Sequence, residues 1–254
     1  MRPFFWPMRW KILALILVVG LVPMGITALV EFRESDRLMR SSAQALLEAG
    51  AETLAGDLDE LHASLQRSVL ALSRQPVIER FSAEPGGRAA HAADAQTVLQ
   101  SFLGSDPRLR SVSILGADGT AIAATDAAMV GKNFSFRQYF RQALRGAPGA
   151  PELFVNVQAG SIPLIAYSAP ISANGRVAAV AVIQAKAAAA WDLIRAPHAG
   201  EGSFAVVLDQ RGIRIAHSAH QDLLFHPARR LPPGEVDELA VSREFGEQTR
   251  TILE

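Results

Sequence analysis

Residues 12–30 read ILALILVVGLVPMGITALV and contain no charged side chain. A helix of about 20 apolar residues spans the hydrocarbon core of a bilayer, so this run predicts a transmembrane anchor. Arg2, Arg9 and Lys11 precede it, and Glu31, Arg33 and Glu34 follow it. The positive flank predicts that residues 1–11 stay in the cytoplasm and that the chain after residue 30 lies outside. Trp6 and Trp10 suit the interface. A cleaved signal peptide is the rival reading, but the run is too long for one and no A-x-A precedes Glu31. Pro23 and Gly25 kink a membrane helix without forbidding it.

Composition then removes several classes of function. Lys plus Arg and Asp plus Glu are equal at 25 each, so nothing points to nucleic acid. There is no cysteine, which rules out disulfide frameworks, thiol nucleophiles and Cys-ligated zinc. No P-loop, kinase or cyclase signature and no G-x-S-x-G occurs, and Ser161 and Ser168 have no His base nearby in sequence. The residues therefore assign no catalytic group and no cofactor. His217, His220 and His226 would suit zinc or copper, but Asp222 is the one carboxylate near them, and no metal site is assigned. Asp118 and Asp209 occupy turn positions, where Asp bonds its own backbone.

After the anchor, residues 33–73 read as one long helix. Leu54, Leu58, Leu61, Leu65, Ser68 and Leu72 follow a 4-3-4-3-4 spacing, the seam of a coiled coil or a helix pair. The seam packs on its own domain or pairs with a second copy, and the two can coexist along its length. Pro76 is expected to close the helix. A turn at 84–87 leads to a second helix, 88–103, with Ala92, Ala95, Val98, Leu99 and Phe102 on one side. Beyond Ser105-Asp106-Pro107 the period changes to two. Strands 111–115 and 120–125 flank Gly116-Ala117-Asp118-Gly119, which is hairpin chemistry. A helix at 137–146 stops at Gly146. Strands 152–157, 162–171 and 176–186 follow, the last two joined by Ala173-Asn174-Gly175. That order predicts a five-stranded antiparallel sheet with a helix laid on it, a PAS-like arrangement. Residues 203–218 repeat the pattern of 111–125, so a second, smaller module of the same kind begins near 200. It has a hairpin and a helix at 235–253, but no closing strands. The expected fold is α+β: a transmembrane helix (12–30), a stalk helix (31–80), a membrane-distal module (81–186), a linker (187–200) and a partial membrane-proximal module (201–254).

Residues 133–146, NFSFRQYFRQALRG, place one cation, Arg137, among Phe134, Phe136, Tyr139 and Phe140. Two readings stand. Arg137 lies at an exposed helix start, bonded to Asp126 or Glu152, or it points into a pocket. The strands facing the helix offer other pocket candidates. Phe154 and Asn156 share one face of their strand, Tyr167 is a polar-tipped aromatic in an apolar strand, and Gln184 and Lys186 share a face of the last strand.

Taken together, the long helix after the anchor, DPRLRSVSILGADGTAIAA, GKNFSFRQYFRQALRG, IPLIAYSAPISANGRVAAVAVI and GSFAVVLDQRGIRIAHS resemble the double Cache sensor domain. Such domains are the extracytoplasmic ligand-sensing regions of bacterial chemoreceptors, sensor histidine kinases and diguanylate cyclases. The resemblance covers roughly residues 33–230. It implies a small molecule held in the distal module and a change passed through the proximal module to a second membrane helix and a cytoplasmic effector. Neither the second helix nor an effector is in this sequence, so either the chain is a fragment or its gene is truncated; a fragment of a bacterial inner-membrane receptor is the expectation. In the family, the Arg of an Arg-x-Trp/Tyr-Phe/Tyr step pairs with a ligand carboxylate. Arg137, Tyr139 and Phe140 match that step. Gln184 stands near the position where amino-acid-binding members usually carry an Asp for the ammonium group, a charge Gln cannot supply. Dicarboxylate-sensing histidine kinases resemble this chain in F-x-F-R-x-Y-F and carry a Lys near the end of the strand. Lys186, about two positions later, is the counterpart. The implied ligand is an organic acid, with no catalysis in the chain itself. The implied partners are the membrane and a second copy through the stalk helix. A periplasmic binding or scaffold protein without effector, or an anchored hydrolase, are the alternatives. The hydrolase needs a nucleophile–base pair that the sequence does not supply.

Overall fold

The computed structural model describes residues 8–83, 86, 88–156, 162–195, 202–242, 245 and 248–253, and for Arg9, Lys11, Ala14, Val155, Asn156, Ile162 and Ser242 the backbone alone. Arg2, Trp6, Ser161, most of the 84–87 turn and the end of the expected linker lie outside the described residues. The chain divides into two units, Met1–Glu52 and Thr53–Glu254.

The described residues of the first unit lie in helix α1 (Met8–Ser73), whose start is long and apolar enough to cross a membrane and is unburied within the chain. Pro23 sits inside it, and the Thr27 hydroxyl donates to the Pro23 and Met24 carbonyls at 3.0 Å.

In the second unit α1 buries Leu54, Leu61, Leu65, Val69 and Leu72, with Leu58 and Ser68 half-buried. The buried position is Val69, not the expected Ser68. The buried run 61-65-69-72 steps 4-4-3, about 3.67 residues per turn, which is that of a straight helix on a domain rather than the strict 3.5 of a coiled-coil seam. This stretch of α1, with α2 (Pro76–Ala83) and α3 (Arg88–Ser105), covers one face of the main sheet. Pro76 does not simply close α1. It opens α2, because a helix's first residue needs no N–H donor.

The sheet has five antiparallel strands, β1 (Leu109–Gly116), β2 (Ala121–Ala124), β3 (Gly149–Asn156), β4 (Ile162–Ala173) and β5 (Arg176–Lys186), in the order β2-β1-β5-β4-β3. Asn174 and Gly175 have φ of 51° and 74°, the tight turn that two-residue hairpins require. Alternation divides the side chains. Val112, Ile114, Ile165, Tyr167, Ile171 and Ile183 pack under α1–α3. Leu115, Leu164, Ala166, Val180 and Val182 face the short helix α4 (Gln138–Leu144).

Tyr167 is therefore on the face opposite α4. Its hydroxyl meets His62 Nδ1 of α1 at 2.5 Å. Burial holds the His62 imidazole below its ordinary value, against the opposing pull of Asp59. A lowered folded value means the unfolded chain binds the extra proton, so stability is full above about pH 6.5 and falls as pH drops through the folded value. His217 is lowered too, mainly by burial and the charge of His220, and has the same sign. Thermal unfolding from pH 8 to 5 should show this acid-side loss, and His62→Gln should shrink it, leaving the His217 part.

A second sheet pairs β6 (Val206–Leu208) with β7 (Arg214–His217), and Asp209 Oδ1 accepts from the Arg211 and Ile213 amides at 2.9 and 2.7 Å. Within the stretch expected as a linker lies α5 (Ala188–Arg195), whose Trp191 indole donates to the Ile215 carbonyl at 2.9 Å. The single helix expected at 235–253 is two helices, α6 (Pro233–Ser242) and α7 (Thr249–Leu253). His217 Nδ1 accepts from the Ala219 and His220 amides at 3.2 and 3.1 Å and so shapes its own loop.

Candidate ligand-binding site around Arg137

The loop before α4 is moored to the β1–β2 hairpin. Asn133 Nδ2 donates to the Asp118 carbonyl at 2.9 Å, and its Oδ1 accepts from the Ser135 amide at 3.0 Å. Arg137 follows as the N-cap of α4, with extended backbone and no side-chain capping bond. Its guanidinium carbon lies 4.5 Å from the Phe154 ring centroid and 5.1 Å from that of Phe136. Within about 6 Å, a ring face attracts a cation.

The acidic partner is Glu152. Arg137 Nη1 donates to Glu152 Oε1 at 3.2 Å, with the two side chains 12% and 16% exposed. Glu152 Oε2 accepts from the Tyr139 amide at 3.1 Å. Of the two partners that sequence offered, Glu152 is the one used; Asp126 instead caps the 3₁₀ turn Ala127–Met129 by accepting from the Ala128 amide. Among the described residues the Arg137 side chain has no other hydrogen-bond acceptor. Four of its five N–H donors are thus without a described partner in a nearly buried place.

Register builds the floor beneath. Phe154, Leu164 and Lys186 stand in one row across β3, β4 and β5. Glu152, Ala166, Gln184 and Ser111 form the next row, and Ser111 Oγ donates to Gln184 Oε1 at 2.8 Å in a buried pair. The third row joins Gly149, Ser168 and Val182.

Of the residues chosen from sequence, Arg137, Tyr139, Phe140, Phe154, Gln184 and Lys186 lie on α4 or on the sheet face that meets it. Tyr139 and Phe140 are buried, and burial pushes the Tyr139 phenol up. Asn156 is at the end of β3, and its side chain lies outside the described residues. Lys186 is exposed and donates to the Pro107 carbonyl at 3.1 Å. Tyr167 does not join the group. β4 is central and buried on both faces, so its apolar run carries no alternation to say which way the phenol turns.

Three residues passed over by sequence complete the arrangement. Ser168 Oγ donates to the Tyr139 carbonyl at 2.9 Å, and Gln66 Nε2 of α1 donates to the Ser168 carbonyl at 3.1 Å. Gly149 lets these backbones meet, since a Cβ there would come within 2.6 Å of the Tyr139 carbonyl oxygen. One line of hydrogen bonds therefore runs from Gln66 through Ser168, Tyr139 and Glu152 to Arg137. The alternation SVS in β1 was the available signal for Ser111. Nothing in one sequence marks Gly149.

No protein-family model matches the sequence, and no curated protein matches it. Solved structures do. The sensor domain of the V. cholerae histidine kinase DctB superposes with a TM-score of 0.66 at 16% identity, over 82% of this chain and 77% of that one. The sensory domain of the Campylobacter jejuni chemoreceptor Tlp3, solved with isoleucine bound, gives 0.58 at 14% identity, over 81% of each chain. The ligand-binding domain of the Pseudomonas aeruginosa PAO1 amino-acid chemoreceptor PctC, in complex with GABA, gives 0.55 at 19% identity, over 72% of this chain and 77% of that one. The chain has the fold of these Cache-type ligand-binding domains.

Proposed function

We propose that this chain is the extracytoplasmic sensor region of a bacterial transmembrane receptor, and that it binds a small organic anion through Arg137. The observation that carries the reading is the guanidinium itself. It is nearly buried beside two aromatic rings, and most of its donors have no described partner. A carboxylate matches such a planar fork with two parallel bonds. Ring walls lower the local dielectric and strengthen the pairing. Tyr139, Phe140 and Phe154 wall the site, Gln184 supplies a polar end, and Lys186 is the second cation.

The fold similarity supports the sensor class, because the neighbours are sensor domains of a kinase and of chemoreceptors. The apolar start of α1 supports a membrane anchor with the sensor outside. Signalling would be a population shift between two arrangements of α4. The line of hydrogen bonds from Arg137 to Gln66 gives that shift a path to α1. Pairing of two copies through the lower part of α1, where Leu38, Met39, Leu46 and Leu47 are exposed, would couple two subunits, and an effector outside this chain would read the result.

The test is a thermal-shift screen of the full chain in detergent, with organic acids set beside their uncharged amides. Bound ligand stabilises by mass action. At least one acid should raise the melting temperature while its amide does not. Equal shifts for acid and amide would remove the anion reading.

A further inference from the structure

We propose that Glu152 is a resident competitor for the ligand carboxylate on Arg137. The inference rests on the reading of Arg137 as the ligand's anchor and adds the group that regulates it. Glu152 lends Arg137 a single bond, at 3.2 Å from Nη1 to Oε1, beyond the 2.7–2.9 Å of strong charge-assisted pairs. The fork of Arg is shaped for two bonds at once, and this pair uses one donor. A free carboxylate that arrives in the plane of the guanidinium can make both, so it exchanges a poor ion pair for a good one. The opposing cost is Glu152 itself, a nearly buried acid that loses its countercharge when the ligand takes its place. Affinity is then set by the difference between two carboxylates on one cation, and it is weaker than Arg137 alone would give.

The second oxygen gives the competition a consequence. Glu152 Oε2 holds the Tyr139 amide in the first turn of α4, and the Tyr139 carbonyl holds Ser168. A ligand that moves Glu152 off Arg137 therefore disturbs the residue that fixes α4 to the sheet. Glu152 sits opposite Ala166, so its neighbour across the strand pair is a methyl group with no polar hold on it.

The experiment uses acetate as the probe, titrated against chloride at constant ionic strength on the full chain in detergent. Thermal unfolding of wild type, Glu152→Gln and the double variant Glu152→Gln with Arg137→Ala is followed. Gln keeps an oxygen for the Tyr139 amide but brings no charge to Arg137. Glu152→Gln should respond to acetate at about one-tenth the wild-type concentration, the worth of one charge-assisted bond. The double variant should not respond. Glu152→Asp, which keeps the charge but shortens the reach, should shift in the same direction by less, and it covers the case in which Gln weakens the fold. Equal midpoints for wild type and Glu152→Gln, including no response in either, overturn the proposal, as does a double variant that still responds. Loss of the anion reading shows elsewhere, in wild type, as equal shifts for acids and amides. If acids bind through Arg137 and Glu152→Gln gains nothing, only the competitor role is lost.

Discussion

Gly149→Ala should lower the melting temperature of the second unit by roughly 10 °C. The added methyl has no place to go. An ideal Cβ at this position lies 2.6 Å from the Tyr139 carbonyl oxygen, 3.1 Å from the Tyr139 Cα and nearer still to the Ser168 hydroxyl. Two of these atoms are backbone and cannot swing aside, so β3 or α4 must shift. Overpacking of this kind costs about 1–3 kcal/mol, and the displaced Ser168–Tyr139 hydrogen bond adds about 1 kcal/mol. A loss of about 3 kcal/mol in a domain of this size lowers the melting temperature by roughly 6–12 °C. Gly56→Ala is the control. It is the same chemical change in an exposed turn of α1 with no atom within 4 Å, and it should stabilise by about 0.5–1 kcal/mol through helix propensity. If Gly149→Ala melts with the wild type, the close approach of α4 to β3 and β4 is wrong, and with it the geometry of the site.

Arg137→Ala should reduce the affinity for the best acid in the screen by about 100-fold or more. A bidentate pair contributes two charge-assisted bonds of about 1.5–3 kcal/mol each. Truncation also leaves the ligand carboxylate unpaired beside Phe154 and beside Glu152, a like charge. About 3 kcal/mol, the low end of the sum, is already more than 100-fold in the dissociation constant. Arg137→Lys separates charge from shape. Lys restores one bond and the point charge but not the planar fork, so affinity should recover only in part, to about tenfold below wild type. Calorimetric titration of the three proteins checks both. Full recovery with Lys would mean that charge alone is read, and an unchanged affinity in the Ala variant would place the ligand elsewhere. Folding is monitored separately, since Arg137→Ala also leaves Glu152 without its countercharge.

Local chemistry in this chain was legible wherever it decides the backbone. The Ala117-Asp118-Gly119 and Ala173-Asn174-Gly175 turns, the helix start at Arg137 and the change of period after Pro107 fall where residue types predict them. Asp118 accepts from the Thr120 amide and Asp209 from two amides of its own turn, as turn aspartates do. What sequence left hidden was set by burial on two sides. The face taken by Tyr167 depends on register between β4 and β5, where Tyr167 pairs with Ile183 and Ser168 with Val182. A strand buried on both faces does not encode that register in its own spacing. Ser68 and Val69 were exchanged for a related reason, since a straight helix drifts about 20° per heptad from a strict 3.5 repeat, about 40° over the two heptads after Leu54. In the site, the cation and its rings were legible because polar and aromatic residues crowd into eight positions. The Glu152–Arg137 pair stood in the sequence as one of two options, and only the placement of β3 against α4 decides it. Gly149 and Gln66 act through approach distances, which leave no trace in a single sequence.

The central claim is that a carboxylate ligand is held by Arg137 on the α4 face of the sheet. A crystal structure of the sensor region with the acid that stabilises it most tests this directly. The account predicts two ligand oxygens within about 3 Å of two Arg137 nitrogens, with Glu152 moved off the guanidinium. A ligand seated away from Arg137, with the Arg137–Glu152 bond intact, would contradict it.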